Sequence, residues 1–188
     1  MVKPFLIIQL RPEDETADNE LEKICEYGAL DPGSTSRLRI ERSGLPALDL
    51  DDYAGIIVGG SPFDVSTPEA QKSPEQLAVE SGFQPLFEAI LERDFPFLGC
   101  CSGNGLLGNY LGTNISTRYG EAVGLVEVSL TESGRQDPLL RGFPDRFRVL
   151  TGHKEACDGV PDGARLLLSG EQCPVQMFRV RSNVYATQ

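Results

Sequence analysis

The hydrophobic positions of the chain form short apolar runs separated by amphipathic stretches. Continuous apolar runs at residues 4–10 (PFLIIQL), 53–58 (YAGIIV) and 95–100 (FPFLGC) are typical of strands that are covered on both faces, as in a parallel sheet. Residues 14–27 and 83–91 carry apolar side chains at helical spacing, and the elements alternate along the chain. This alternation of strand and helix predicts βαβ units and an α/β domain.

The remaining segments are less regular. Residues 37–42 alternate apolar and charged side chains and predict a more exposed strand, whereas the polar segment 62–82 predicts a loop with some helix. Residues 103–111 predict a helix, and Pro85 fits the first turn of the helix predicted at 83–91. Strands are predicted at 124–130, 147–150, 165–168, 174–180 and 183–187. The expected fold is a single domain, 1–188, with a mainly parallel central sheet flanked by helices and an antiparallel C-terminal part.

Composition and charge narrow the possible functions. A chain of 188 residues with 40% hydrophobic content can bury one core. The net charge of −11 argues against nucleic acid and anionic membranes as partners, and no apolar run approaches the ~20 residues of a membrane span. Five cysteines without regular spacing favour a reducing compartment, and no second Cys or His pair lies at metal-ligand spacing. We therefore expect a soluble, cytoplasmic protein without a structural metal.

The sequence GCCSG (residues 99–103), between the third apolar run and a predicted helix, has the pattern G-x-C-x-G. This pattern is typical of a nucleophile elbow, a tight turn that presents its central residue, here Cys101, at the carboxyl end of a sheet. The start of a helix favours the thiolate, and the N–H of Ser102 would be one donor of an oxyanion hole. Alternatively, Cys100 and Cys101 are inert, buried apolar residues at a strand end.

A second glycine-rich turn, GGSP (residues 59–62), follows the apolar run at 53–58. If both runs are parallel strands, this turn and the elbow lie at the same carboxyl edge, where open α/β sheets bind ligands. The N–H of Gly60 would then be the second oxyanion donor. The two turns together favour acyl transfer at Cys101.

These turns belong to a longer series: IIVGGSP (56–62), PFLGCCSGNGLLG (96–108), YGEAVG (119–124), TGHKEA (151–156), CPVQMFRV (173–180) and NVYATQ (183–188). In this order and spacing, the chain resembles a class I glutamine amidotransferase domain of the kind related to the amidotransferase part of GMP synthetase. The resemblance implies a flavodoxin-like, three-layer fold. It also implies an enzyme that hydrolyses glutamine through a glutamyl thioester, passes ammonia to a synthetase partner and needs no cofactor.

The resemblance implies roles for particular residues. Cys101 would be the nucleophile, and the backbones of Gly60 and Ser102 would form the oxyanion hole. Candidate residues of the substrate pocket are Gly103, Gly105, Glu121 and His153. His153, the only histidine, lies in a motif near the mouth of the family's site that is not the catalytic base, so we expect it to line the site. For Glu121, an ordinary solvated loop position is the favoured interpretation.

Three features depart from the family pattern. Gly105 stands where the family usually has a Gln that helps to hold the substrate, and Cys100 stands where a branched aliphatic residue is more usual. The family's catalytic His and Glu form a His-x-Glu motif directly after a strand resembling VYATQ, but this sequence ends at Gln188. We therefore expect a natural C-terminal segment beyond residue 188, and little or no glutaminase activity in the 188-residue chain.

Two other hypotheses remain open. Gly105 would enlarge the pocket, which is compatible with a γ-glutamyl hydrolase that cleaves amides of other amines. Measuring whether ammonia or an amine is released would separate these enzymes. The third hypothesis is a catalytically degenerate binding or regulatory module, favoured by Gly105 and by the absence of His-x-Glu from the sequence; the residues encoded after Gln188 would test it.

Overall fold

A computed structural model describes residues 3–188, apart from the side chains of residues 42 and 43. The helices in this part of the chain are α1 (Asp14–Tyr27), α2 (Ile40–Ser43), α3 (Pro74–Arg93), α4 (Ser102–Tyr110) and α5 (Glu132–Gln136). The strands are β1 (Phe5–Gln9), β2 (Thr35–Arg39), β3 (Gly55–Val58), β4 (Phe97–Cys100), β5 (Ile115–Ser116), β6 (Glu121–Leu130), β7 (Arg146–His153), β8 (Ala156–Cys157), β9 (Ala164–Gly170), β10 (Met177–Val180) and β11 (Val184–Thr187).

The described strands form a nine-stranded sheet in the order β2-β1-β3-β4-β11-β10-β9-β6-β7, and β5 pairs with β8 separately. Neighbouring strands from β2 to β11 are parallel, and those from β11 to β7 are antiparallel. The parallel half has the 2-1-3-4-5 order of flavodoxin-like folds. The predicted α/β fold, with a parallel centre and an antiparallel C-terminal part, is therefore confirmed.

Helices cover both faces of the parallel strands. Alternate residues of β1 point to opposite faces, so Leu6 and Ile8 join the main core while Gln9 faces α1 and donates from Nε2 to the Ala17 carbonyl (2.6 Å). The main core also contains the aromatic side chains of α3 and the apolar side chains of α4 and the central strands, including Phe83, Phe87, Phe97, Leu106, Leu107 and Phe178. This burial on both faces explains the continuous apolar runs of the sequence.

Two local predictions are wrong. The strand predicted at 37–42 is β2, which ends at Arg39, and the chain then turns into α2, where Ile40 is buried in the core. The polar segment 62–82 is not a loop throughout, because α3 begins at Pro74. The Ser73 side chain caps this helix by accepting from the Gln76 N–H (3.1 Å), and proline is compatible with the first helical position. Pro85 consequently lies inside α3 rather than in its first turn.

The C-terminal strands are present, with several boundaries shifted from those predicted. β6 begins at Glu121 and β7 ends at His153, so both candidate pocket residues lie within the sheet, paired with each other across two antiparallel strands. Among the described residues, no helix combines the length and the apolarity needed to cross a bilayer.

Candidate active site

Two turns meet at the carboxyl edge of the parallel strands. β3 and β4 are neighbours with Val58 opposite Gly99, so the turns that follow them emerge side by side. Cys101 lies between β4 and α4 and has φ 53° and ψ −100°, a conformation that is uncommon for a residue with a side chain. A Cβ on Gly99 would lie 2.7 Å from the Gly103 carbonyl, so the turn closes tightly only with glycine at position 99.

A pocket of about 340 Å³ opens at this edge and includes Cys101 in its wall. Its lining consists of two groups of neighbouring residues and Arg11: Ser61, Pro62, Phe63, Asp64, Cys101, Ser102, Gly105, Gly152, His153, Lys154 and Glu155. Of the candidate pocket residues, Gly105 and His153 lie in this wall. Gly103 is instead buried against Val58, and Glu121 lies behind His153, so neither belongs to the lining. The volume is within the range of small-molecule sites.

Opposing effects act on the thiol of Cys101. Burial raises its pKa, which opposes the thiolate that the start of α4 was expected to favour. The positive charge of Arg11 and hydrogen bonding by the Ser102 backbone and hydroxyl lower the pKa, whereas the carboxylate of Glu155 raises it. Burial raises the pKa of the adjacent Cys100 further, to about 12. Cys101 therefore has the more ionisable thiol of the two.

The N–H of Gly60 already has a partner. It donates to Oε1 of Glu20 (2.9 Å), and the other oxygen of that carboxylate accepts from Nε2 of Gln9 (2.9 Å). Nε of Arg11 lies 3.8 Å from Oε1 of Glu20. The predicted oxyanion donor is thus occupied by a carboxylate from α1. Sequence reasoning missed Glu20 and Arg11, although Arg11 follows β1 at the same carboxyl edge and Glu20 lies one helical turn after Ala17.

His153 is held from both sides of its ring. Nε2 lies 2.9 Å from Oε2 of Glu121, which also accepts from Nε2 of Gln176 (2.7 Å), and Nδ1 lies 3.0 Å from the Glu155 carbonyl oxygen. The side chains of Glu121 and His153 are only 3% and 2% exposed. The interpretation of Glu121 as a solvated loop residue is therefore wrong. Cys173 approaches this pair, and the three potential ligand atoms lie within 4.8 Å of one another.

Glu155 forms part of the pocket wall opposite α4. Its two carboxylate oxygens accept from the backbone N–H groups of Val65 (2.6 Å) and Ser66 (2.9 Å). A Cβ on Gly105 would lie 3.7 Å from Oε1 of Glu155, an ordinary contact distance. The absence of a side chain at position 105 therefore places the Glu155 carboxylate beside α4. The acidic residue two positions after the histidine was visible in TGHKEA, but its amide partners were not.

β11 brings the C-terminal end of the sequence to the same edge. It runs parallel to β4 with Thr187 opposite Cys100, and the Thr187 carbonyl accepts from the Cys101 N–H (2.8 Å). The N–H of Gln188 donates to the Gln176 carbonyl (2.9 Å), which fixes the last residue beside the antiparallel strands. Residue 188 consequently lies close to the elbow cysteine.

A three-layer α/β domain with a cysteine on the strained turn after a central strand defines the structural class: α/β proteins with a cysteine at the nucleophile-elbow position. Within that class the chain belongs to the glutamine amidotransferase class-I family, whose sequence model matches residues 29–188. The predicted relationship to the amidotransferase of GMP synthesis is also confirmed by the curated relatives.

Two of these relatives are archaeal, and each is one subunit of a glutamine-hydrolysing GMP synthase. The chain is 29% identical over 138 residues to the subunit from Sulfurisphaera tokodaii, an alignment that covers 73% of this chain and 66% of the relative. It is 32% identical over 122 residues to the corresponding subunit from Methanoculleus marisnigri, covering 65% of this chain and 55% of the relative. The matches thus span less than two thirds of the relatives' length.

Solved structures show the same fold. A glutamine amidotransferase from Thermotoga maritima superposes with a TM-score of 0.76 at 23% identity, covering 100% of this chain and 76% of that one. A glutamine amidotransferase from Methylobacillus flagellatus gives a TM-score of 0.76 at 19% identity, covering 100% and 70%. Both structures therefore contain more chain than the part that is matched here.

Proposed function

We propose that this domain hydrolyses the carboxamide of glutamine with Cys101 as nucleophile. The supporting observation is the position of Cys101: it lies on a strained turn, in the wall of a pocket, with the Ser102 amide beside its sulfur. The thiolate attacks the amide carbon, and the carbonyl electron pair moves to oxygen next to that N–H. Collapse expels ammonia, which gains a proton, and leaves a glutamyl thioester that water cleaves to glutamate and free thiol.

The proposed reaction needs a base for the thiol and an acid for the departing ammonia. His153 lies in the pocket wall, but its Nε2 faces Glu121 and its Nδ1 faces the Glu155 carbonyl, so neither nitrogen is directed to the sulfur. We therefore propose that the base follows residue 188, in a His-x-Glu segment. The parallel pairing of β11 with β4 supports this proposal, because a segment after Gln188 would begin beside Cys101.

A synthetase partner is the proposed acceptor of the ammonia. The curated relatives are each named as one subunit of a glutamine-hydrolysing GMP synthase, which implies a further subunit. Ammonia transferred directly to that partner would be protected from protonation in solvent. The proposed substrate is therefore glutamine, and the proposed partner is a synthetase that aminates a small molecule.

The experiment uses two chain lengths and two adjacent cysteines. The protein extended by its natural residues after 188 should release ammonia and glutamate from glutamine, and Cys101→Ala should abolish the activity. Cys100→Ala is the matched control and should retain most of it. The 188-residue chain should be a very weak glutaminase or none, because proton transfer is typically worth ~10²–10⁴-fold. Full activity of the 188-residue chain, lost in His153→Ala, would assign the base to His153 instead.

Gly105 supports a second candidate, a γ-glutamyl hydrolase. Its position in the pocket wall leaves room, since a Cβ there would meet Val65 and Glu155 only at 3.6 and 3.7 Å. An extended protein that releases amines from γ-glutamyl amides faster than ammonia from glutamine would favour this reaction. Failure of both reactions in the extended protein would favour the binding or regulatory module.

A further inference from the structure

The side chain of Arg11 lies at the turn where the second oxyanion donor was expected. A Cβ built on Gly60 would be 2.4 Å from Nη2 of Arg11 and 3.2 Å from Cζ, so the guanidinium passes directly over the Gly60 backbone. Arg11 also lines the pocket that contains Cys101. The cation and the sulfur therefore face the same space.

The donors of this guanidinium are available. Its carboxylate neighbour is Glu20, and the contact is long, 3.8 Å from Nε to Oε1. Among the described residues, its terminal Nη groups have no hydrogen-bond acceptor. The side chain is 32% exposed, so solvent from the pocket reaches it.

The N–H of Gly60, in contrast, is engaged. It donates to Glu20 at 2.9 Å, and that carboxylate is fixed in turn by Gln9. A single N–H directed at a carboxylate does not stabilise a second anion in the pocket. The fold thus holds one oxyanion donor, the Ser102 amide, and a cation where the other donor would be.

We propose that the guanidinium of Arg11 provides the second oxyanion donor of the Cys101 site, in the place of the Gly60 amide. This inference rests on the proposed acyl transfer at Cys101. When the thiolate forms a bond to a carbonyl carbon, the π pair moves to oxygen, and an Nη–H group binds that oxygen together with the Ser102 N–H. When the carbonyl re-forms, the leaving group departs with its bonding pair and Arg11 is unchanged.

Two reagents separate this role from a simple effect on the thiol. Iodoacetamide and p-nitrophenyl acetate both react with the thiolate, but only the ester passes through an oxyanion. Neither reagent carries a carboxylate, so loss of carboxylate binding would affect neither. Mass spectrometry of the peptide that contains Cys101 measures both rates at pH 8 in the 188-residue chain, independently of glutamine hydrolysis.

The expected result is a change in the ratio of the two rates. In Arg11→Gln, alkylation falls with the thiolate population, and acylation falls by a further factor of about 10–10². Arg11→Lys keeps the charge without the planar fork and should give an intermediate ratio. Arg93→Gln, which removes an exposed arginine paired with Asp51 at the end of α3, should leave the ratio unchanged.

An unchanged acylation-to-alkylation ratio in Arg11→Gln would overturn the proposal, whatever the glutaminase assay shows. Conversely, a lowered ratio in a protein that fails to hydrolyse glutamine would retain the oxyanion role and reject the proposed substrate. Far-UV circular dichroism and the urea midpoint of each variant show that the fold is intact.

Discussion

The buried hydrogen bonds between Glu121, His153 and Gln176 allow a stability test that needs no activity. Glu121→Ala removes an acceptor of two hydrogen bonds, at 2.9 and 2.7 Å, and leaves two donors inside the protein without a partner. A hydrogen bond to a charged group contributes about 1.5–3 kcal/mol, and each unsatisfied buried donor costs about 1–3 kcal/mol. Because these terms overlap, we expect Glu121→Ala to lower the free energy of unfolding by about 3–5 kcal/mol.

The conservative variant should cost less. Glu121→Gln keeps the shape of the side chain and one carboxamide oxygen, which can accept from one donor at a time. We expect a loss of about 1–2 kcal/mol. The matched control is Glu127→Ala on the same strand, because Glu127 is exposed and its Arg146 contact is 3.6 Å. Its effect should stay within about 0.5 kcal/mol.

Urea unfolding followed by far-UV circular dichroism at pH 7.5 measures these differences. A double-mutant cycle with His153→Ala isolates the pair, and its coupling energy should exceed about 1 kcal/mol. The reasoning is refuted if Glu121→Ala costs less than about 1 kcal/mol, or if the Glu121 and His153 variants prove additive.

Iodoacetamide at pH 8 should label Cys101 well before Cys100, because a pKa of about 12 leaves only ~1 in 10⁴ of the Cys100 thiols ionised; peptide mass spectrometry showing the reverse order would contradict this. Phe87→Ala should cost about 3–5 kcal/mol in urea unfolding, since its ring contacts three others with centroids 5.2–5.6 Å apart. The half-exposed Phe143 is the control, and its alanine variant should cost about 1 kcal/mol or less. Asp94 has φ 48° and caps two backbone N–H groups before β11, so Asp94→Asn should retain more stability than Asp94→Ala; equal losses would count against this.

The parallel half of the sheet was predictable because its signals are local. Each buried strand is a continuous apolar run, and the glycine turns mark the point where such a run ends. That information sufficed to place GCCSG and GGSP at one edge, and the structure has them there. The start of α3 was missed even though its signal is local too: Ser73 and Pro74 form a cap and a first-turn proline within a polar segment.

The sequence by itself determined the α/β class, the two turns and Cys101 as the residue of interest. The tertiary structure alone decided the polar environment of that cysteine. Glu20 reaches the Gly60 amide across 40 positions, and Glu121 meets Gln176 across 55. Such contacts depend on which face of a strand or helix a side chain occupies and on which strands become neighbours. Hydrophobic periodicity predicts the apolar face of an element, but the partner of a buried polar group is fixed only when the sheet is assembled.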